Sequence, residues 1–489
     1  MKRSPLALST ILLAALLLAS CSGTHNTVTP PASGNATVSV TFTDTPPAGV
    51  SILSFTITLS GLALNPSSGA PVNFTLSPNP LSVELTRLQS DSFLGATSAA
   101  IPAGTYSGIT VAVASSKIVF LNGTAAAIGS CTAGSLCTVS PISAASVTYT
   151  FPAALSLTSG QQTGIALDFN LNNAITAALG VDFTVAGAVT ATNLPHTGTP
   201  ASTLDLIEDF TGTVTAYNSS TGSLTVQSGT RGTLTGIVGS GTLYHDPLAT
   251  CVALNSTCLH TGQTLSVNAG LNLDGTLAIR EVDLIDSTSV DVLEGTIYKT
   301  PGTTTSFSMV LSDKVVVTSS NTALTGAAAG DTVNLSWSAA PTFAVDTAGM
   351  TLSSSFPSNL ALFTGGADSS VLYPGQTVMV TVTGATASLG VVSATATRIL
   401  LRHSRFTATV NTVLSNSFSI NAAALPPFFG SFGATIPLVE VFPNVTSYDN
   451  VAGSASLAAA DVVSLRALYI QNPGMNSSPM FFATKVRKH

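Results

Sequence analysis

From residue 37 onward, apolar and polar residues exchange places at every second position in short runs. Thr37-Val38-Ser39-Val40-Thr41-Phe42-Thr43-Asp44 is the first, and it stops at Pro46-Pro47. Such alternation describes a half-buried strand, and proline cannot continue a hydrogen-bonded ladder. Ile52 to Leu64 repeats the pattern through Ile52, Phe55, Ile57, Leu59, Leu62 and Leu64. Further strands are predicted at Ser82–Leu85, Gly108–Val113, Lys117–Leu121, Ser146–Phe151, Thr163–Phe169 and Phe183–Val189, with a helical turn or two near Asn172–Leu179. Gly, Pro and Asn lie between nearly all of them. Short strands at this spacing predict an all-β fold, an antiparallel β-sandwich over residues 37–192.

A stretch rich in Pro, Gly and Thr follows and predicts a linker over residues 193–208. From Asp209 the pattern becomes a repeat. Phe210-Thr211-Gly212-Thr213-Val214 leads to Leu224-Thr225-Val226, Leu265-Ser266-Val267 and Ile279. The same order returns at Glu294-Gly295-Thr296-Ile297, Phe307-Ser308-Met309, Val378-Met379-Val380 and Ile399, and again at Phe406-Thr407-Ala408-Thr409-Val410, Phe418-Ser419-Ile420, Val462 to Leu465 and Val486. Three small barrels are expected, over residues 209–288, 292–404 and 405–489, the second with an insertion near Pro341–Tyr373. Each should enclose its own core. The first would be Val214, Leu224, Val226, Leu265, Val267 and Ile279; the second Ile297, Phe307, Met309, Val378, Val380 and Ile399; the third Val410, Phe418, Ile420, Val462, Leu465 and Val486.

The first 20 residues break this pattern. Lys2 and Arg3 precede an almost wholly apolar run from Leu6 to Leu18, then Ala19, Ser20 and Cys21. A basic start, an apolar stretch and small residues predict an export signal over residues 1–20, and the run is shorter than the roughly 20 residues a spanning helix needs. Residues 21–36, with Pro30, Pro31 and Gly34, read as a flexible tether. Composition changes the picture in one respect. Only 8% of the 489 residues are charged, 15 basic and 22 acidic, while mean hydropathy is +0.47. An ordinary soluble domain carries about 25% charge, so the surface must be built from Ser, Thr, Asn and Gly. A net charge of −7 with no basic stripe argues against a nucleic-acid partner. Arg398, Arg402, His403 and Arg405 read as a solvated junction between repeats, and Lys485, Arg487 and Lys488 as a short cationic tail.

Leu18-Ala19-Ser20-Cys21 resembles the bacterial lipobox. That resemblance implies a diacylglyceryl thioether on Cys21, a lipid anchor to a membrane and, with Ser22 rather than Asp after the cysteine, the outer membrane or cell surface. Val38 to Pro46, Ile101-Pro102-Ala103-Gly104-Thr105-Tyr106-Ser107 and Leu167-Asp168-Phe169-Asn170 resemble, in order, three motifs of domain of unknown function 4382. This covers residues 37–192 and implies a β-sandwich with no established reaction. Each of the three repeats resembles domain of unknown function 5666, which implies a small OB-like closed barrel.

The remaining cysteines, Cys131, Cys137, Cys251 and Cys258, form two local pairs, and an even number in an exported chain predicts disulfides. The rival for the second pair is zinc, with His260 and His245. Asp44, Asp168, Asn170, Asn172 and Asn173 offer oxygen ligands for Ca²⁺, although their spacing fails the EF-hand pattern and Asp44 can serve its own turn. No nucleophile elbow, zinc-protease or phosphate-loop motif is present, and His245, His260 and His403 fall in loop-like contexts. The expectation is therefore a non-catalytic, lipid-anchored lipoprotein with no cofactor. It would present β-domains to an unknown envelope protein, or alternatively bind carbohydrate for polysaccharide capture. An outer-membrane barrel is disfavoured, because no terminal aromatic strand closes the chain.

Overall fold

A computed structural model describes residues 34–45, 51–140, 142, 145–176, 179–195, 203–247, 251–300, 304–318, 321–350, 360–361, 363–388, 391–429, 436–442, 445–470 and 480–489. The alternating runs become strands throughout. In the N-terminal unit these are β1 (Asn35–Thr45), β2 (Ile52–Pro66), β3 (Val72–Asn73), β4 (Leu81–Glu84), β5 (Phe93–Pro102), β6 (Gly104–Leu121), β7 (Leu136–Val139), β8 (Ala145–Leu157), β9 (Gln162–Asn170) and β10 (Val189–Asn193). One sheet runs β10-β9-β1-β5; the facing sheet runs β3-β2-β6-β7, with β4 on β2 and β8 on β6. Val38, Val40 and Phe42 of β1 meet Phe55, Ile57 and Leu59 of β2 in one core.

Three features of this unit differ from the alternation-based expectation. The sandwich is not wholly antiparallel, because β1 pairs with β9 in parallel from Thr37–Gln162 to Thr45–Asn170. The two strands expected over 108–121 are one, β6, since Ser115 and Ser116 still pair across β2 and do not break the ladder. Phe183–Val189 is turn rather than strand, and only Val189 enters β10. The helical turn is present as α1 (Leu171–Ala174).

The rest of the chain makes three closed circuits. β11 (Thr203–Asn218), β12 (Ser223–Gln227), β13 (Thr233–His245), β14 (Thr264–Asn272) and β15 (Leu277–Asp286) close in the order β11-β12-β13-β15-β14. β16 (Val292–Lys299), β17 (Ser306–Val315), β18 (Thr332–Ser336), β20 (Thr377–Ser388) and β21 (Val391–Arg402) repeat that order, closed by parallel pairing of β18 with β21. β22 (Ser404–Val413), β23 (Ser417–Ile420), β24 (Leu438–Val441), β26 (Val462–Ile470) and β27 (Met480–Lys488) do so a third time through β24 and β27. A first-to-fourth antiparallel pair with a parallel third-to-fifth pair is the connectivity of an OB-like barrel. β11 begins at Thr203, six residues inside the stretch read as linker.

Register fixes the equivalences. Gly212, Gly295 and Ala408 stand opposite Leu265, Val378 and Val463. At the first two, a Cβ would lie 2.3 Å from the carbonyl oxygen of Gln227 or Val310, so glycine is required by close approach of the neighbouring strand. β19 (Thr342–Val345) and β25 (Ser447–Asp449) each add a parallel strand beside the fifth strand of their barrel. The C-terminal half of β13 takes the same place, with Leu243–His245 opposite Glu281–Asp283. The start of the supposed insertion is thus part of the repeat. Its later part carries Phe363, which packs with Phe343 and Trp337 into the second core.

The first two cores contain all the residues expected of them. The third contains Val410, Phe418, Ile420, Leu465 and Val486 but not Val462, which is 42% exposed; Val463 is the buried neighbour. Val462 is the first residue of β26, where the strand is still entering the sheet. Phe442, Leu468, Ile470 and Phe482 of the third barrel join the core of the second, so these two barrels share an apolar seam.

Candidate functional site

Charge is scarce in this chain, and the structure gathers it in one place. At the start of β11 a bulge lies between Ile207 and Phe210, and Asp209 adopts φ 49°. Aspartate tolerates this left-handed conformation better than most residues, and a bulge re-aims side chains out of the strict alternation. The Asp209 carboxylate is thereby carried out of the first barrel, while its N–H donates to Asn268 Oδ1 at 2.7 Å.

Three guanidiniums converge on that carboxylate. Arg466 of β26 makes a two-pronged contact, Nε to Oδ2 at 3.0 Å and Nη2 to Oδ1 at 2.8 Å. Arg402, the last residue of β21, donates from Nη2 to Oδ1 at 2.6 Å, and Arg405 of β22 donates from Nη2 to Oδ2. All four side chains are at most 4% exposed. Arg402 also reaches Asp346 at 2.7 Å and Asp283 at 3.3 Å, and Arg405 reaches Asp91 at 2.5 Å. One carboxylate of the first barrel thus holds cations from the other two, and Arg405 ties the sandwich to the same hub.

Further pairs radiate from it. Lys485 donates to Glu208 Oε2 at 2.8 Å. Arg487 pairs with Asp449 at 2.8 Å and donates to the carbonyls of Leu88 and Asp91. Arg87 lies 3.0 Å from Glu294. Asp205 accepts from Thr41 and Ser92 of the sandwich at 2.7 and 2.9 Å. The expected solvated junction at Arg402, His403 and Arg405 and the expected cationic tail at Lys485 and Arg487 are therefore buried. The outward-facing charged residues Glu281 and Asp283 of β15, Arg402 of β21 and Lys485 and Arg487 of β27 point at neighbouring units rather than at water, while Arg280, Ser393, Thr395 and Thr397 on the same strands stay exposed. Arg398 is the partial exception, about one-quarter exposed and 3.0 Å from Asp286.

The electrostatics follow from this packing. Burial pushes the Asp209 carboxyl up, but Arg466, Arg402 and Arg405 outweigh it and hold it well below the usual range. Asp283 moves the other way, raised by burial and then by Asp346 and Glu281. Glu281 is pushed up to about 7, mainly by burial. His403 is fully buried beside Asp346 at 3.4 Å, and burial together with Arg466 pulls it down to about 4, so it is neutral near pH 7.

Among the described residues, the carboxylates that converge closely enough to hold a metal are Asp209, Asp283 and Asp346. The Arg402 guanidinium already bridges all three and supplies the charge a cation would bring. The calcium set does not assemble. In the parallel register Asp44 stands beside Phe169 and Asp168 beside Thr43, so the two carboxylates leave opposite faces of the sheet. Asp168 accepts from Thr43 and Thr45, Asn173 donates to the Gly187 carbonyl, and Asp44 is fully buried with no hydrogen-bond partner among the described residues. The cysteines pair as Cys131–Cys137 and Cys251–Cys258, each with Cα atoms 5.9 Å apart. In that pairing the Cys251 and Cys258 sulfurs are bonded to each other and not presented as the thiolates zinc would need. Cys21 lies outside the described residues.

A cavity of about 260 Å³ opens beside the hub, between the sandwich, the β12–β13 turn and β17. Arg87, Asp91, Phe93, Arg231 and Asp313 line it.

The fold and this junction define a multi-unit β-protein whose charged side chains join its units to one another. Residues 35–198, the whole sandwich, match the family described as domain of unknown function (DUF4382). Two of the three motifs lie side by side, Leu167–Asn170 of β9 beside Phe42–Thr45 of β1, while the β5–β6 turn sits at the other end of β1, Ile101 and Pro102 opposite Ala36 and Asn35, with Tyr106 Oη donating to the Pro102 carbonyl at 2.7 Å. No curated protein matches the chain.

Proposed function

We propose that this chain is a non-catalytic lipoprotein, anchored through Cys21 to the outer membrane or cell surface, that presents a rigid group of β-units for binding or scaffolding in the envelope. The barrels are proposed to be of the domain of unknown function 5666 kind, on the motifs quoted above. The observation that carries the reading is the junction around Asp209. Asp209 pairs with Arg402, Arg405 and Arg466 across unit boundaries, which is how side chains hold an assembly rigid. Exposed strand and loop positions are left largely to Ser, Thr, Ala, Gly and Asn. Among the described residues no helix is long and apolar enough to cross a membrane. Acyl chains, at roughly 0.8 kcal/mol per buried CH₂, would supply the attachment.

The second reading, carbohydrate binding, is favoured by the cavity beside the hub, whose lining sets Arg87, Asp91, Arg231 and Asp313 beside Phe93 and Leu88. Metabolic labelling with an acyl-chain probe tests the anchor: label on the wild-type chain that is lost in Cys21→Ser supports it, and label that survives defeats it. A glycan array tests the second reading, and a flat array counts against it.

A further inference from the structure

The cavity between the sandwich and the first two barrels holds two polar groups that the junction satisfies only in part. The first is Arg231, in the turn after β12. Arg87, Arg398, Arg402, Arg405, Arg466 and Arg487 each have a carboxylate within ion-pair distance. Arg231 has none among the described residues. It donates from Nη1 to the carbonyls of Glu208 and Asp209 at 3.3 and 2.7 Å, with its guanidinium over the rings of Phe93 and Phe210. Those contacts fix its position, and Asp313 and Asp91 act on its charge only from beyond ion-pair distance. The second is Asp313, 2% exposed. Thr230 and the Lys314 N–H both donate to Oδ1, while Oδ2 has no hydrogen-bond partner among the described residues and only a longer ion pair, 3.6 Å from Arg87 Nη1. A buried acceptor left without a donor costs free energy unless something else supplies one.

We propose that this cavity binds a small hydroxylated carboxylate. The ligand's carboxylate pairs with Arg231, the group suited to planar anion recognition. A hydroxyl a few bonds away donates to Asp313 Oδ2, with Ser82 and Thr230 hydroxyls within the same lining. At about 260 Å³ the space is below that of sites for drug-sized ligands, so it accepts one unit. Gly229 and Ala328 of the lining are exposed and mark the mouth. Burial pushes the Asp313 carboxyl up, against the pull of the Arg87 and Arg231 guanidiniums.

The ligand chemistry is that of a sugar acid, and it has two sources: a free hydroxy acid or the end of an acidic polysaccharide. The second source rests on the carbohydrate reading above; the site itself does not.

Isothermal titration of the purified chain with galacturonate tests the site, with glucose as the neutral control. Galacturonate should bind at least about tenfold more tightly than glucose, a discrimination of about 1.4 kcal/mol. Arg231→Gln should weaken it at least about tenfold. Because Arg231 also braces the turn, Ala328→Trp is the second variant: it closes the mouth from an exposed position and should abolish binding without lowering the melting temperature. No galacturonate binding, or binding indifferent to both variants, overturns the proposal. A trigalacturonide that binds as well as the monomer assigns the polysaccharide source, and monomer binding alone assigns the free acid. Galacturonate binding beside a flat glycan array leaves the site standing and removes the capture reading.

Discussion

At the scale of single residues, the junction is a balance of titrations with opposite sign. Glu281 is raised from 4.5 to about 7, so the stability it contributes is full below about pH 4.5 and is lost as pH rises through 7. His403 is lowered from 6.5 to about 4, so its contribution is full above about pH 6.5 and is lost as pH falls through 4. Each shift corresponds to about 3 kcal/mol at most. Between pH 4.5 and 6.5 the two slopes oppose and nearly cancel. Glu281→Gln should therefore unmask a stability that climbs with pH from 4 to 6.5, and His403→Gln one that declines from 4.5 to 7. Urea midpoints across pH for both variants and wild type read this directly. Identical pH profiles in all three would show that neither group titrates as its surroundings dictate. Asp44, also raised by burial, titrates in every variant; Asp283 is raised in part by Glu281, so in Glu281→Gln its own decline with pH shrinks and adds to the expected climb.

At the scale of elements, the sequence alone reveals more than it does for individual side chains. Period-two alternation needs only a buried and a solvated face, and it located β1, β2 and the principal barrel strands with their apolar sides. It was weaker where both faces are covered. β5 carries Gly95, Ala96, Ala99 and Ala100, small residues suited to close packing but lacking an apolar stripe, and so gave no signal. The parallel β1–β9 pair was hidden because two strands far apart in sequence leave no mark of their relative direction. The third core shows how fine the limit is, since Val462 and Val463 are equally apolar and only register separates them. Val463→Asp should cost several kcal/mol, because the residue is fully buried among Val410, Leu465 and Val486. Val462→Asp should stay within about 0.5 kcal/mol. Denaturant midpoints separate the two, and equal losses would place both side chains inside.

At the scale of the whole molecule, what could not be read was the assembly. Arg398, Arg402 and Arg405 sit near a boundary between repeats, where a linear sequence suggests water. Only the closed circuits, which turn the fifth strands toward one another, make that boundary an interior. One signal was available: in a chain with so few charges, bases recur on the fifth strands of the second and third barrels, and acids, Glu281 and Asp283, recur on that of the first. A buried ion network of this kind contributes little net stability beyond an apolar replacement, because desolvation offsets attraction; breaking it from one side is a different matter. Asp209→Ala would leave Arg402, Arg405 and Arg466 buried without their common partner. The expected loss is about 3–5 kcal/mol, and because the carboxylate joins three barrels the loss should fall on docking before it falls on any core. Calorimetry should then show a single transition splitting into at least two, while small-angle scattering shows a larger radius of gyration under native conditions. Removing the partly exposed Arg398–Asp286 pair by Arg398→Ala should cost less than about 1 kcal/mol and leave the transition single. If Asp209→Ala melts in one transition at unchanged dimensions, the barrels are held by their apolar seams, Phe442, Leu468 and Phe482 foremost, and the charges merely fill the space between them.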